Sequence, residues 1–269
     1  EICACLVGSE MCIETGLAAS AKKAARIAAE GIVSSYVTDD HKVGAIVEVN
    51  CETDFVAKTD DFKALVNSVA KLVVEKNPAD VDELMALDCG DGTVAEMVNR
   101  AVAKIGEKIT IRRFARMEGQ LVDTYIHLGG KIGVIVAAKT ADAEKARPAV
   151  HDVAMHIAAA KPGVLHRDEV DPADLDKERE ILRAQALNDP KPKPANIIEK
   201  MVEGRIAKYY KEVCLLEQPF VKNPDQSIEQ MLKEHGDVEL VAFVRFEMGE
   251  GLQKRQDNFA EEVMGQMKK

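Results

Sequence analysis

An acidic residue and a large aromatic residue, Asp54 and Phe55, stand side by side in the polar stretch Glu48–Lys58 (EVNCETDFVAK). A carboxylate can accept hydrogen bonds or approach a cation, and an apolar ring can enter a pocket of another protein as an anchor. Two structural alternatives exist, since a lone aromatic is commonly tucked into its own domain and an aspartate commonly caps the helix that follows. The pair is therefore either a presented contact or an ordinary helix start.

The other reactive side chains form no catalytic or metal-binding motif. The sequence contains no G-x-x-x-x-G-K-[ST] loop for nucleotide phosphates and no H-E-x-x-H. His151 and His156 are five residues apart, which places them about 140° around a helix, too far to share a metal. Gly249-Glu250-Gly251 lacks the third glycine of a dinucleotide-binding loop. We therefore expect no enzyme activity, no cofactor and no metal site.

The cysteines follow neither a disulfide framework nor a C-x-x-C pattern. They are Cys3, Cys5, Cys12, Cys51, Cys89 and Cys214. The first three cluster, so a metal site there is the alternative, but no histidine lies within the first 40 residues. The pattern favours free thiols in a reducing compartment.

Composition indicates an acidic globular protein of the cytoplasm. The 269 residues include 36 Lys and Arg against 46 Asp and Glu, a net charge of −10. That balance argues against direct nucleic-acid binding, which requires concentrated basic residues. No apolar run reaches the roughly 20 residues that cross a bilayer, and no signal-peptide pattern opens the sequence. We therefore expect no membrane partner.

An internal repeat organises the chain. Residues 32–47 (IVSSYVTDDHKVGAIV) and 121–136 (LVDTYIHLGGKIGVIV) match at an offset of 89. The identical pairs are Val33 and Val122, Tyr36 and Tyr125, Lys42 and Lys131, Gly44 and Gly133, Ile46 and Ile135, and Val47 and Val136. Each copy predicts a β-hairpin, with its turn at Asp39-Asp40 or Gly129-Gly130. The alternative is two unrelated hairpins that look alike.

Apolar residues at helical spacing follow each hairpin, and a second helix and a strand come later. The predicted helical positions are Phe62, Leu65, Val66, Val69, Leu72, Val73, Val94, Met97, Val98, Ala101, Val102 and Ile105 in the first copy, and Val150, Val153, Ala154, Ile157, Ile228, Met231 and Leu232 in the second. The predicted closing strands are Ile109–Met117 and Val238–Met248. Two repeated subdomains of hairpin, helices and strand give an α+β fold.

The second copy carries an insertion. Two helical patterns flank residues 188–194 (NDPKPKP), whose three prolines within five residues cannot continue a helix. The predicted helical positions are Leu175, Glu178, Ile181, Leu182, Gln185, Ile197, Ile198, Met201, Val202, Arg205, Ile206 and Tyr209. These helices form an αα-hairpin. We expect its apolar stripes to support self-association or docking to a partner; the alternative is that the two arms pack only on each other.

The repeat also provides a control for the Asp54–Phe55 pair. Continued without a gap, the offset of 89 places Asp54 opposite Ala143 and Phe55 opposite Glu144. Residues that the fold alone requires should recur in both copies, whereas surface loops often carry function. The difference favours a functional role for the pair.

The sequence resembles a known family. The run Glu48–Lys58 fits at all eleven positions the signature of elongation factor Ts, the nucleotide exchange factor of elongation factor Tu. Further stretches agree over roughly residues 21–264: Ala21–Ala25, Lys104–Glu107, Met155–Ala158, Met201–Arg205, Gln218–Val221 and Arg245–Gly251. The resemblance implies two core subdomains, a protruding coiled-coil hairpin and a C-terminal helical module.

With this resemblance we divide the chain into six segments. They are a shortened N-terminal segment 1–30, a core N-subdomain 31–119, the first part of a core C-subdomain 120–171, the hairpin 172–212, the second part of the C-subdomain 213–252, and a C-terminal module 253–269. The family opens with a small helical domain, and about 20 residues before Ala21 are too few for it, so we expect that domain to be truncated or unobserved here.

The resemblance also implies the contacts and the function. It assigns binding of elongation factor Tu, in its GDP-bound and nucleotide-free states, to a set of candidate residues: Thr53, Asp54, Phe55, Val56, His156 and Phe259. For His156 the alternative is a buried structural histidine, and for Phe259 it is packing on the core. The competing functions are a scaffold or chaperone-like binding subunit, and a hydrolase or transferase using scattered Asp and His residues.

Overall fold

The structure, a computed structural model of the chain, describes residues 21–187 and 194–253. The strands are β1 Glu30–Val37, β2 Val43–Cys51, β3 Thr110–Glu118, β4 Leu121–His127, β5 Ile132–Lys139, β6 Pro219–Phe220, β7 Asn223–Ser227 and β8 Glu239–Glu247. The helices are α1 Asp54–Ala57, α2 Asp60–Lys76, α3 Val81–Ala86, α4 Val94–Ile105, α5 Ala143–Ala160, α6 Pro172–Leu187, α7 Ala195–Val213 and α8 Ile228–Glu234. The α+β class and both predicted hairpins are confirmed.

Two antiparallel three-stranded sheets form the centre of the molecule. Their orders are β1-β2-β3 and β4-β5-β8, so β2 and β5 are the central strands. Nearly every residue of these two strands is buried. Both faces of each sheet are covered, which explains why the central strands read as almost continuous apolar runs.

Helices cover the outer face of each sheet. In the first half, α2 and α4 pack on alternate residues of β2, including Ala45, Val47 and Val49. In the second half, α5 and α8 pack in the same way on Val134 and Val136 of β5. The second helix of each half begins with a capping box, formed by Thr93 and Glu96 for α4 and by Ser227 and Gln230 for α8. Such boxes satisfy backbone N–H groups that the first turn leaves free.

The inner faces of the two sheets pack against each other through a third apolar cluster. Its buried members are Val33, Ile46, Val122, Ile135, Ala137, Phe246 and Met248. Two glycines make this close approach feasible. A Cβ on Gly44 would lie 2.9 Å from a methyl group of Val122, and a Cβ on Gly133 would lie 2.3 Å from a methyl group of Val33. Six of the twelve residues in the identical pairs of the repeat therefore form the contact between the halves.

The hydrogen bonds between the halves follow the same offset of 89. The Val33 N–H donates to the Gly130 carbonyl at 2.7 Å, and the Val122 N–H donates to the His41 carbonyl at 2.7 Å. The hydroxyls of Ser35 and Thr124, which the repeat also matches, contact each other at 3.1 Å. The halves are thus related like two subunits of a dimer with twofold symmetry.

The inserted segment consists of two helices that pack on each other. Their shared apolar cluster contains Leu182, Ala186, Ile198, Val202 and Ile206. Arg183 pairs with Glu199 across the two helices at 3.1 Å. Ile181, Leu187 and Ile197 remain exposed. The supercoil implied by the family resemblance stays a prediction, as do the boundaries of the six segments.

Several short elements differ from the sequence expectation. The single predicted helix after the first hairpin begins with a separate turn, α1, and the prediction omits α3 and the small sheet of β6 and β7. The first turn also extends beyond Asp39-Asp40, because the strands stop at Val37 and resume at Val43. These elements are too short to show a hydrophobic period.

Candidate functional site

The connecting loop, defined as residues 52–59 between β2 and α2, carries four of the six candidate residues. Thr53 caps α1, its hydroxyl accepting a hydrogen bond from the Val56 N–H at 3.4 Å. Thr59 caps α2 in the same way and donates its own hydroxyl to the Val56 carbonyl at 2.7 Å. Ala57 is buried against the core of the first half. One helical turn is therefore held at both ends and from beneath.

Glu107 fixes the start of the connecting loop. Its carboxylate accepts hydrogen bonds from the Glu52 N–H at 3.0 Å, the Thr53 N–H at 2.9 Å and the Thr53 hydroxyl at 2.6 Å. In return, the Glu52 carboxylate accepts the Lys108 N–H at 2.7 Å. Gly106, in the left-handed region at φ 88°, ends α4 and turns the chain into this position. Hydrogen bonds to a charged acceptor are stronger than neutral ones, so the loop is well anchored.

The anchored turn presents Phe55 to solvent. Its side chain is 78% exposed, whereas the next residue but one, Ala57, is buried. The alternative that this ring is tucked into its own domain is therefore wrong. An apolar ring held outward on a rigid turn loses little conformational freedom when it enters a pocket.

Asp54 lies in the first turn of α1 and does not cap it, because Thr53 fills that role. Lys58 donates a hydrogen bond to the Asp54 carboxylate at 2.6 Å. This bond, together with the positive charges of Lys58 and Lys131, holds the pKa of Asp54 below its ordinary value. Asp54 is therefore a carboxylate at neutral pH, next to an exposed aromatic ring.

Thr53 and Val56 contribute mainly to the support of the turn. The hydroxyl of Thr53 is occupied by Glu107 and the Val56 N–H, and Val56 packs partly against the core of the first half. Glu107 itself was missing from the predicted site. The signal that could have indicated it was the Lys104–Glu107 stretch, which matches the family and continues past Ile105, the last predicted helical position of the first copy.

The ungapped alignment of Asp54 with Ala143 and of Phe55 with Glu144 is wrong. The buried positions of α2 and α5 match at an offset of 84, with Val66 equivalent to Val150. The strands match at 89, so the first half has five additional residues between sheet and long helix. The connecting loop has eight residues, against three (140–142) in the second half. The Asp54–Phe55 pair therefore belongs to an insertion and has no counterpart.

The turn of the second hairpin lies beside the connecting loop. Lys131 pairs with Glu30 at 3.0 Å and also lowers the pKa of Asp54. In the same turn, Leu128 is 72% exposed and has a φ of 49°, in the left-handed region. The glycines of this segment predict only a turn, although an apolar residue between a histidine and two glycines is also a signal for a second exposed contact.

His156 lies inside the second half. Its side chain is 1% exposed. Nε2 and the Gln218 side-chain oxygen are 2.8 Å apart, and Nδ1 accepts the Val221 N–H at 3.2 Å, which assigns the proton to Nε2. Burial lowers the pKa of His156, partly offset by Gln218. The structural alternative fits this environment, and a role for His156 at a partner surface stays a prediction. Phe259 lies outside the described residues.

The described residues offer little for other chemistry. Within 21–187 and 194–253, no three His, Cys, Asp or Glu side chains come together as a metal site. Cys51 is buried, and burial raises the pKa of its thiol to about 12. No helix in the described ranges is long and apolar enough to span a membrane.

Known proteins match this chain over most of its length. Residues 52–250, which begin in the connecting loop, match the family described as Elongation factor TS. Two relatives from Clostridium perfringens, strains SM101 and 13, are named Elongation factor Ts. Each is 51% identical to this chain over 264 residues, covering 94% of the chain and 86% of the relative. The chain therefore belongs to the elongation factor Ts family.

Proposed function

We propose that this protein is a guanine-nucleotide exchange factor for elongation factor Tu in translation, acting in the cytoplasm. The observation that carries the proposal is Phe55, an exposed aromatic ring on an anchored turn that only the first half contains. Membership of the elongation factor Ts family supports the choice of partner.

An exchange factor makes and breaks no covalent bond. It binds the GDP complex of its partner, promotes release of GDP, and stabilises the nucleotide-free partner until GTP binds. The exchange factor and the nucleotide weaken each other's binding by the same factor, because coupling between two ligands is reciprocal. The protein therefore requires surfaces that complement the nucleotide-free partner and requires no catalytic side chain.

Phe55 and Asp54 supply the first of these surfaces. In the mechanism that the family resemblance implies, Phe55 inserts between side chains of the partner's GTPase domain, with the Asp54 carboxylate beside it. The insertion disturbs the region that holds Mg²⁺ and the phosphates. Mg²⁺ bridges and neutralises phosphate oxygens, so displacing it weakens nucleotide binding.

The energy required exceeds what one ring supplies. Moving a two-state equilibrium by about 10⁴-fold takes roughly 5.5 kcal/mol of differential binding. Burying one Phe side chain contributes about 1.5–3 kcal/mol. We therefore include the exposed Leu128 in the same surface and assign further contacts to the second half, near the exposed Val221, whose N–H donates to His156.

The remaining partner assignments are secondary proposals. We place a further contact at the C-terminal module around Phe259. The helical hairpin is our candidate for self-association, supported by the exposed Ile181, Leu187 and Ile197.

Release of a fluorescent GDP analogue from elongation factor Tu, chased with unlabelled GDP, tests the function. We expect the parent to accelerate release strongly. Phe55→Ala should lose about 10- to 100-fold of the maximal rate, because about 1.5–3 kcal/mol of apolar contact is removed. Val241→Ala, which truncates an exposed aliphatic residue in the second half, is the matched control and should behave as the parent.

Two results would count against the proposal. No acceleration by the parent would reject the exchange function for this chain. Acceleration by the parent that Phe55→Ala fully retains would keep the function and reject the role of the ring.

A further inference from the structure

Both halves contain a β-bulge at the same place, but only one of the two bulges is charged. In the first half, the pairing of β2 with β3 shifts between Glu48 and Val49. In the second half, the pairing of β5 with β8 shifts between Ala137 and Ala138. At a bulge, two residues of one strand oppose one residue of the other.

The residues at the two bulges differ in character. Arg112 and Arg113 lie opposite Glu48 in the first half. Val241 and Ala242 occupy the equivalent positions opposite Ala137 in the second half. The bulge therefore forms without any charge, and the ionic residues of the first half require another explanation.

Glu48 is fully buried and its carboxylate has partners in both halves. One oxygen accepts from Arg112 Nη1 at 2.9 Å and from the Gly249 N–H at 2.8 Å. The other oxygen accepts from Arg113 Nε at 2.6 Å. Gly249 follows β8, so a side chain on the central strand of the first sheet binds the backbone of the second half.

Both arginines extend this contact into the second half. Arg112 donates through Nη2 to the Glu250 carbonyl, and Arg113 donates through Nη2 to the Glu247 carbonyl at 3.2 Å. The Arg113 guanidinium also lies 4.3 Å from the centre of the Phe246 ring. Three charged residues of the first half therefore hold residues 246–250, which we call the closing segment.

Such a cluster adds little to the free energy of unfolding compared with apolar residues in the same place. Buried ion pairs lose much of their mutual attraction to desolvation, and apolar replacements are often equally stable. Their geometry is strict, however, because each charge must keep all its hydrogen bonds. A network shared by two halves therefore specifies how those halves are oriented.

We propose that Glu48, with Arg112 and Arg113, is a positioning residue that fixes the relative orientation of the two halves. With this orientation fixed, the surface at Phe55 and the contacts of the second half bind the partner at the same time, and the two halves need not reorient first. This inference rests on the proposed function as far as the partner is concerned. The clamp, by which we mean the contacts of Glu48, Arg112 and Arg113 with the closing segment, is a property of the free protein.

Hydrogen exchange in the free protein tests the clamp without any partner. In Glu48→Ala, we expect amide exchange in the closing segment to accelerate about tenfold or more, while α2 and α5 keep their protection. Glu48→Gln, which retains one acceptor oxygen, should fall between Glu48→Ala and the parent. Glu118→Gln, which removes an exposed ion pair with Arg116 on the same β3 strand, is the matched control and should match the parent.

Unchanged exchange of the closing segment in Glu48→Ala would overturn the clamp. If α2 or α5 also loses protection, Arg112→Gln replaces it as the test variant, because Glu48 keeps its contact with Arg113 there. Protection of the closing segment in Arg112→Gln equal to that of the parent would then reject the proposal.

A titration of GDP release tests the positioning role. For Glu48→Gln we expect the half-saturating concentration to rise about tenfold while the maximal rate stays near that of the parent, because orientation affects assembly of the complex. A lower maximal rate at unchanged half-saturation would overturn this role. If the parent itself fails to accelerate release, the proposed function fails, and hydrogen exchange still decides the clamp.

Discussion

The two halves of the molecule share a three-stranded sheet, a long helix and a second, capped helix, but they differ where the sheet connects to the long helix. The second half makes this connection in three residues and continues directly into α5. The first half uses eight residues and places a separate helical turn there, with Phe55 pointing outward. Since the shorter connection builds the same layers, those layers do not require the extra residues of the first half.

The largest expected effect comes from giving the first half the connection of the second. Replacing residues 52–59 with the sequence of 140–142 (Thr-Ala-Asp) should abolish acceleration of GDP release, a loss of more than about 100-fold, since it removes the ring and its anchored turn together. Circular dichroism should show the helical content retained, apart from α1. A folded chimera that still accelerates release would mean that exchange does not depend on this loop.

A medium effect is expected where the halves meet. Gly133→Ala and Gly44→Ala each add one methyl group at equivalent positions, but the Cβ would lie 2.3 Å from Val33 in the first case and 2.9 Å from Val122 in the second. Overpacking costs about 1–3 kcal/mol, so we expect Gly133→Ala near the upper end of that range and Gly44→Ala near the lower end. Urea unfolding measures both free energies.

The Val33→Ala substitution provides the control for this pair. It should recover part of the unfolding free energy in Gly133→Ala, because it removes the methyl group that clashes. Equal losses in the two glycine variants, or no recovery, would contradict the close approach described for the sheets.

A smaller effect concerns the long helices. The matched buried positions of α2 and α5 make Leu72 the counterpart of His156, so the second half alone titrates at this position. Burial lowers the folded-state pKa of His156 below its ordinary 6.5. Below pH 6.5 the unfolded chain then binds more protons than the folded chain does. The stability that comes from the neutral, buried His156 is therefore present above that pH and is lost as the pH falls.

Unfolding free energies at pH 7.5 and pH 5.5 measure the contribution. The parent should lose more unfolding free energy than His156→Leu does between these two pH values, because only the parent carries the histidine whose pKa burial lowers. His156→Leu should itself be less stable by about 1–3 kcal/mol at pH 7.5, because Gln218 and the Val221 N–H lose their partner. An identical pH dependence in both proteins would show that His156 is not the titrating group.

The sequence contained enough information to predict the architecture of both halves. The six identical pairs of the repeat are visible because many of them serve the contact between the sheets, where size is restricted: Gly44 and Gly133 leave room for Val122 and Val33. The capped second helices were equally predictable, since an apolar stripe follows each Thr or Ser cap.

The five-residue insertion escaped the sequence comparison for a physical reason. Apolar residues of different size, such as Phe62 and Ala146, fill equivalent places on α2 and α5, so the two helix sequences alone do not reveal the change of offset. The exposure of Phe55 could also not be predicted from its residue type, because an aromatic residue is more often buried. It depends on Glu107, which lies more than 50 residues further along the chain.

His156 illustrates a second limit. A histidine on an apolar helix can be a surface contact or a core residue, and the decision depends on whether its two nitrogens find partners. Both partners, Gln218 and the Val221 N–H, come from a segment beyond the inserted hairpin. Spacing along α5 contains no information about them.

The paired backbone hydrogen bonds between the halves, Val33 to Gly130 and Val122 to His41, have a consequence for how this molecule can change. In a dimer of identical chains, every substitution appears twice, so a charged residue or a protruding ring at one site is forced on both subunits. Here each half is encoded separately. One half can therefore carry Phe55 or Glu48 while the other half lacks them. The interface between the halves keeps its twofold arrangement, but its two sides can change independently.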